Sequence, residues 1–172
     1  MGCFEIRVAV DRPLATVFAV YTDTDKWRWC SYIRRVRWTR GQPWVVDSRL
    51  LVETSGAIGT SVDQVLTHFE LNRRVDYISH FSGITLESRV NFRSLASDQT
   101  EIHARIEFVG TLSRIVEFAI EPAIERSTLQ FFEEMKRECE RMPLPPTPLG
   151  KADASPLVGR EAVVPSSEKP TA

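Results

Sequence analysis

Residues 61–109 alternate between apolar and polar side chains along four segments that short connections separate. Alternation with a period of two is typical of strands that bury one face. The segments are Ser61–Glu70, Arg74–Ser82, Ile84–Leu95 and Gln99–Val109. Because a slip of one residue turns every side chain of a strand over, few pairings keep all four apolar faces together. The sequence therefore predicts an antiparallel sheet in which consecutive strands are neighbours.

The connections between these segments predict how the strands pair. Ser82-Gly83 suits a two-residue hairpin turn, and the other two connections are also short. The predicted cross-strand pairs are Phe81 with Ile84, Tyr77 with Ser88, Phe92 with Ile102, Ser88 with Ile106, and His68 with Tyr77. In this register one face of the sheet is apolar, and the other carries charged side chains together with His80 and His103.

The rest of the folded part is predicted to add three strands and two helices. Apolar residues from Leu14 to Tyr21 recur at helical spacing after the first strand, with Asp11 as the candidate N-cap. From Thr111 to Arg141 the apolar period is that of a helix of roughly 30 residues, which Pro122 should kink or divide. The further strands are Cys3–Val10, Ile33–Arg40 and Asp47–Thr54. The predicted fold class is α+β, a seven-stranded antiparallel sheet curved around the long C-terminal helix, with a short helical insert after strand 1.

A change in composition marks the end of the predicted domain. Seven of the 10 prolines lie in residues 143–172, and this stretch has no aromatic residue. Each proline lacks an amide donor, and too little apolar surface follows to offset the entropy of ordering the chain. We therefore expect a folded domain over residues 1–142 and a disordered, proline-rich tail over residues 143–172, which can alternatively act as a PxxP docking peptide.

The apolar face of the predicted sheet carries a few polar side chains that a dry core would have to satisfy internally. A curled sheet with a helix across its concave face tends to leave a cavity. An apolar lining with sparse polar groups is typical of a small-molecule site. The candidate ligand-binding residues are the polar Gln64, His68, Tyr77, Ser79 and Ser88 and the apolar Leu66, Phe81, Leu86, Val90, Phe92, Ile106 and Phe108.

The predicted row of His68, Tyr77 and Ser88 permits three interpretations. These side chains can act as an acid/base set, since cyclisation and dehydration need proton transfers close to the substrate. They can instead orient a polar group of a bound ligand. The third interpretation is a buried hydrogen-bonded row that only ties the sheet together.

The charge balance argues against nucleic acid as a partner. Lys and Arg total 22, Asp and Glu total 23, and the net charge is −1, whereas nucleic-acid affinity comes from excess cationic charge. Arg34, Arg35, Arg37 and Arg40 surround Trp38, a pattern that can bind single strands by stacking and charge. The net charge favours the alternative, an exposed strand whose arginines pair with nearby acids and resist edge association.

No motif predicts a cofactor, a metal or a membrane span. The glycines form no phosphate-binding loop, and the three histidines lack the spacing of zinc ligands. Cys3, Cys30 and Cys139 are scattered without a CxxC pair, which fits a reducing compartment and hence a cytoplasmic location. No run approaches the ~18 apolar residues of a span, and the N-terminus lacks the pattern of a signal peptide.

Three stretches carry a family resemblance. The first is the strand Phe4–Val10 with the following Asp11–Phe18 and a tryptophan at Trp29, and the second is Leu66–Tyr77 with its Asn72-Arg73-Arg74 turn. The third runs from Gly110 through Pro122 to Lys136. Together they resemble the SRPBCC superfamily, the helix-grip group of START-like lipid carriers, pollen-allergen-like proteins and polyketide cyclase/dehydratase-like proteins.

The resemblance implies a helix-grip fold over residues 4–141 and a pocket for a hydrophobic ligand. The expected function is binding of a small hydrophobic molecule such as a lipid, an isoprenoid or a polyketide in the cavity between sheet and helix. The alternative is an enzyme of the polyketide cyclase or dehydratase kind that uses the same cavity. A third hypothesis is a regulatory protein that acts through its arginine-rich strand or its tail.

Overall fold

The computed structural model describes residues 2–55, 61–110 and 114–143, with the backbone alone for residues 114–117. Nine elements and one short 3-10 helix follow one another along the chain. They are β1 (Cys3–Val10), α1 (Leu14–Thr22), the 3-10 helix (Thr24–Trp29), β2 (Ile33–Arg40), β3 (Arg49–Thr54), β4 (Ser61–Glu70), β5 (Arg74–Phe81), β6 (Ile84–Ala96), β7 (Gln99–Val109) and α2 (Arg114–Arg141). The predicted α+β class and the helical insert after strand 1 are confirmed.

The seven strands form one curved antiparallel sheet in the order β1-β7-β6-β5-β4-β3-β2. From β2 to β7 each strand pairs with the next strand along the chain, and β1 joins the sheet through β7. The arginine-rich strand β2 is therefore an edge strand. Arg37 lies 3.9 Å from Glu53 on β3, which agrees with an edge whose arginines approach neighbouring acids.

Two of the three predicted hairpins have the predicted register. Phe81 pairs with Ile84 and Phe92 pairs with Ile102. At the turn between β5 and β6, Ser82 has φ 48° and Gly83 has φ 78°. Two successive positive φ values are the geometry of a type I′ turn, which matches the right-handed twist of the flanking strands.

The predicted pairing of β4 with β5 is wrong. Leu66, not His68, lies opposite Tyr77, and His68 lies opposite Asp76. The chain advances by two residues on β4 and by one on β5 between these pairs, which is a β-bulge at Thr67. Because side chains alternate between faces, the extra residue moves His68 from the concave to the convex face.

Helix α2 covers the concave face of the sheet. Ile124, Phe132, Met135 and Cys139 are buried in the same core as the inner faces of the strands. The helix is a single element with Pro122 inside it, so the predicted division at Pro122 does not occur.

One predicted boundary differs from the structure, and two lie outside the described residues. Strand β3 begins at Arg49 rather than Asp47, because Asp47 has φ 69°, a left-handed conformation that a strand does not accommodate. The predicted helix start at residues 111–113 lies outside the described residues. The same holds for residues 144–172 of the proline-rich tail.

Candidate functional site: the cavity between sheet and helix

A cavity of about 180 Å³, partly open to solvent, lies between the sheet and α2. The inner faces of β3 to β7 form one wall, and α2 forms the opposite wall from Ile124 to Phe132. Tyr21 of α1, Trp27 of the 3-10 helix and Tyr32 before β2 line the remaining side. The cavity exists because the curved sheet separates from the helix over this stretch.

Most of the predicted site residues come together at this cavity. The eight that line it are Gln64, Tyr77, Ser79, Phe81, Leu86, Ser88, Val90 and Ile106. They share the inner face of β4 to β7, as their alternation predicted. Tyr77 and Ser88 are direct cross-strand neighbours, so part of the predicted polar row is present.

Four predicted residues do not line the cavity. Leu66, Phe92 and Phe108 are buried in the core but lie away from the cavity wall. His68 is on the convex face, where its Nε2 lies 3.9 Å from a carboxylate oxygen of Glu70. Because of the β4 bulge, Leu66 and not the predicted His68 lies opposite Tyr77, so this position carries a leucyl side chain instead of an imidazole.

Residues outside the central strands supply the rest of the lining. Helix α2 contributes Ile124, Ser127, Thr128, Phe131 and Phe132. The helical insert and the β2–β3 side contribute Tyr21, Trp27, Tyr32, Ile33, Val52 and Thr54. The apolar period of α2 marked Ile124, Phe131 and Phe132 as buried positions. The local sequence pattern did not indicate that residues of α2 and of the β2–β3 side line the same cavity.

Trp27 is a fixed part of the cavity wall. Its indole Nε1 donates a hydrogen bond of 2.9 Å to the backbone oxygen of Tyr21. Its ring centroid lies 5.1 Å from that of Phe131 in an edge-on arrangement. These contacts anchor the helical insert to α2, and the indole is only 4% exposed.

A seam of polar side chains joins the start of β2 to α2 beside the cavity. The Glu134 carboxylate accepts hydrogen bonds from the backbone amide of Ser31 at 2.5 Å and from its hydroxyl at 2.7 Å. The Gln130 side chain donates to both Ser31 and Glu134. One turn earlier, the Tyr32 hydroxyl donates to the backbone oxygen of Ser127 at 3.0 Å. These bonds hold the edge strand against the helix beside the cavity.

Polar groups in the lining are few, and some lack partners. The side-chain amide of Gln64 donates to the Ser79 hydroxyl at 3.2 Å, and its Oε1 is buried without a partner. The Tyr77 hydroxyl is also buried without a hydrogen-bond partner, and the Ser88 hydroxyl makes no side-chain hydrogen bond within the part of the chain that the structure describes. A lining of this kind leaves hydrogen-bonding capacity that a bound molecule can use.

The tyrosines of the lining are neutral at physiological pH. Burial raises the pKa of Tyr21, Tyr32 and Tyr77 above the usual value of 10.0. The adjacent Tyr21 hydroxyl raises the pKa of Tyr77 further, and neighbouring Cys30 and Glu134 do the same for Tyr32. No Asp, Glu, Lys, Arg or His side chain is among the described residues that line the cavity. The lining as described is therefore uncharged.

Metal ligation and membrane crossing are two further properties that bear on the kind of site. Within residues 2–55, 61–110 and 114–143, no three His, Cys, Asp or Glu side chains come together as a metal would require. In the same ranges no helix is both long and apolar enough to cross a bilayer.

The family that the chain matches agrees with the fold described above. Residues 1–140 match the family described as polyketide cyclase / dehydrase and lipid transport. No curated protein sequence matches the chain.

Several solved structures are similar to this chain in fold. The Zhui aromatase/cyclase from a Streptomyces species is 13% identical, with a TM-score of 0.71 over 81% of this chain and 94% of its own. Ara h 8.0201 is 13% identical, with a TM-score of 0.67 over 81% and 97% of the two chains. A START superfamily protein from Mycobacterium smegmatis is 14% identical, with a TM-score of 0.61 over 80% and 97%.

Proposed function

For this chain, which belongs to the polyketide cyclase / dehydrase and lipid transport family, we propose that the function is to bind a small hydrophobic molecule in the cavity between sheet and α2. The supporting observation is the mainly apolar lining of this cavity, which carries isolated hydroxyl and amide groups. Apolar ligand surface gains about 25 cal/mol per Å² on leaving water, which supplies the main driving force for binding. Gln64, Tyr77, Ser79 and Ser88 are polar residues of the lining that can orient the ligand.

The cyclase or dehydratase alternative has less support in this cavity. Such reactions need a group that takes or gives a proton near neutral pH, within hydrogen-bond reach of the substrate. The described lining offers hydroxyl and amide groups, and burial raises the pKa of its three tyrosines. The one histidine that the sequence assigned to the cavity, His68, is on the opposite face of the sheet. Binding without chemistry is therefore the favoured function.

The first experiment is native mass spectrometry of the full chain purified from its own host, to weigh any molecule that copurifies. In parallel, isopropylbenzene serves as an apolar probe in thermal unfolding and calorimetry. We expect the probe to raise the melting temperature, because a ligand that binds only the folded state stabilises it.

A pair of helix variants tests whether the probe occupies the cavity. Ser127→Phe places a ring into the cavity from α2, whereas Arg126→Phe adds the same ring at an exposed position of the same turn. We expect Ser127→Phe to abolish the probe-dependent stabilisation and Arg126→Phe to retain it. Absence of stabilisation in the wild type, or stabilisation that persists in folded Ser127→Phe protein, contradicts the proposal.

A further inference from the structure

We propose that the cavity takes an uncharged compound of one aromatic ring with a short substituent, and that an oxygen of this substituent accepts a hydrogen bond from Ser88. This inference rests on the proposed function and names the class of ligand. It requires the cavity to discriminate among molecules of nearly equal shape by charge and by hydrogen-bonding capacity.

The size of the cavity sets the size of the group that fits between the sheet and α2. An apolar protein cavity of about 150 Å³ accommodates benzene. The cavity between the sheet and α2 measures about 180 Å³, which leaves room for a ring and a short branch. Its walls suit an aromatic ring, because Trp27 and Phe131 already pack edge to face there.

The uncharged lining excludes an ionised ligand. Burying a carboxylate without a cationic partner costs far more than burying a neutral amide or ketone. Arg89 and Arg105, which flank Ser88 and Ile106 along their strands, are on the convex face, where they lie 3.9 Å from Asp76 and 3.6 Å from Glu5. The concave wall of the same strands presents Leu86, Ser88 and Val90 instead.

Ser88 places a hydroxyl group on the cavity wall, where it can recognise a ligand oxygen. It lies between Tyr77 on β5 and Ile106 on β7 in the middle of the sheet. Its neighbours along the inner face of β6, Leu86 and Val90, are apolar and buried. A hydroxyl group in this setting without a partner is satisfied when a ligand supplies an acceptor.

Four probes of matched shape separate the effect of ligand charge from the effect of a hydrogen bond to Ser88. Isopropylbenzene, acetophenone, benzamide and benzoate each carry a benzene ring with a branched substituent of three heavy atoms. They differ in that the first has no oxygen, the second and third have a neutral carbonyl group, and the fourth carries a negative charge. Dissociation constants are measured by calorimetry at pH 7 for the wild type, Ser88→Ala and, as a second variant that replaces the hydroxyl by a weakly donating thiol, Ser88→Cys.

We expect acetophenone and benzamide to lose about three- to tenfold in affinity in Ser88→Ala, while isopropylbenzene keeps its affinity. Benzoate is expected to bind the wild type more than about tenfold more weakly than benzamide. Equal losses for acetophenone and isopropylbenzene in both Ser88 variants, or benzoate binding as tight as that of benzamide, overturn the inference. In those cases binding of isopropylbenzene still supports the proposed function, whereas failure of every probe to bind overturns both.

Discussion

The Arg12 guanidinium, just before α1, donates a hydrogen bond of 2.8 Å to the backbone oxygen of Met142, just beyond the end of α2. The same nitrogen also donates to the backbone oxygen of Glu140. The last carbonyl groups of a helix have no partner within the helix, and a cationic donor there also interacts favourably with the helix dipole. Arg12 therefore fastens the end of the long helix to the start of the helical insert.

Removing the Arg12 side chain is expected to destabilise the protein. Arg12→Ala removes charged hydrogen bonds to the end of α2, and we expect the free energy of unfolding to fall by about 1.5–3 kcal/mol in urea titrations. The control is Arg34→Ala, which removes an exposed arginine of β2 and should change the free energy of unfolding by less than about 0.5 kcal/mol. Equal effects of the two substitutions contradict this role for Arg12.

The Glu134 seam predicts a dependence of stability on pH. Burial acts to raise the pKa of Glu134, but hydrogen bonds from Gln130 and Ser31 outweigh burial and lower the pKa below the usual 4.5. A carboxyl group whose pKa is lower in the folded chain stabilises the fold above the unfolded pKa and loses this effect as pH falls through the folded pKa.

Glu134→Gln is accordingly expected to cost about 1 kcal/mol of unfolding free energy near pH 7. The difference from the wild type should shrink once the pH falls below about 4.5. Urea titrations from pH 7 down to pH 3 measure this, with Glu133→Gln as the exposed neighbour on the same helix. A deficit that stays constant over the whole range is the result against this prediction.

Burial of Met135 predicts how much the helix contributes to the core. Met135 is 0% exposed between α2 and the sheet. We expect Met135→Ala to lower the free energy of unfolding by about 2–5 kcal/mol, from lost transfer free energy and a cavity that collapses only in part. Leu129→Ala, at a position that is 43% exposed on the same helix, should cost much less. If the two variants are equally stable, α2 does not pack as described.

The position of His68 predicts the effect of its removal on binding. Since His68 is on the convex face, His68→Ala should leave the dissociation constants of isopropylbenzene and acetophenone within about twofold of the wild type. Ser88→Ala, on the concave face, should weaken acetophenone alone. A clear loss of affinity in His68→Ala protein, with its fold intact, places the imidazole in the site and argues against the present assignment.

The domain boundary is a separate proposal. We propose that residues 1–142 fold without residues 143–172, because the last contacts of α2 to the rest of the chain involve Arg12 with Glu140 and Met142. A chain that ends after Met142 should unfold at the same urea concentration as the full chain. A substantial drop in that midpoint means that the tail contributes to the fold.

Local patterns determined most of the strand pairing. Ser82-Gly83 constrains a hairpin by itself, because a two-residue turn leaves one register; the observed positive φ at both positions is that of a type I′ turn. The pairing of Phe92 with Ile102 follows from an equally short connection. The alternation of apolar and polar side chains along β5, β6 and β7 then assigns Tyr77, Ser88 and Ile106 to one face, independently of the rest of the chain.

Only the tertiary structure decided which of these side chains meet a cavity. A bulge inserts one residue at Thr67 without a signature in the sequence, and this residue moves His68 from the concave to the convex face. The walls from α2 and the edge strand, such as Ser127 and Tyr32, approach the sheet from positions distant along the chain. Periodicity states which face of an element is apolar, but the space left between two faces depends on how the sheet curves and where the helix rests on it.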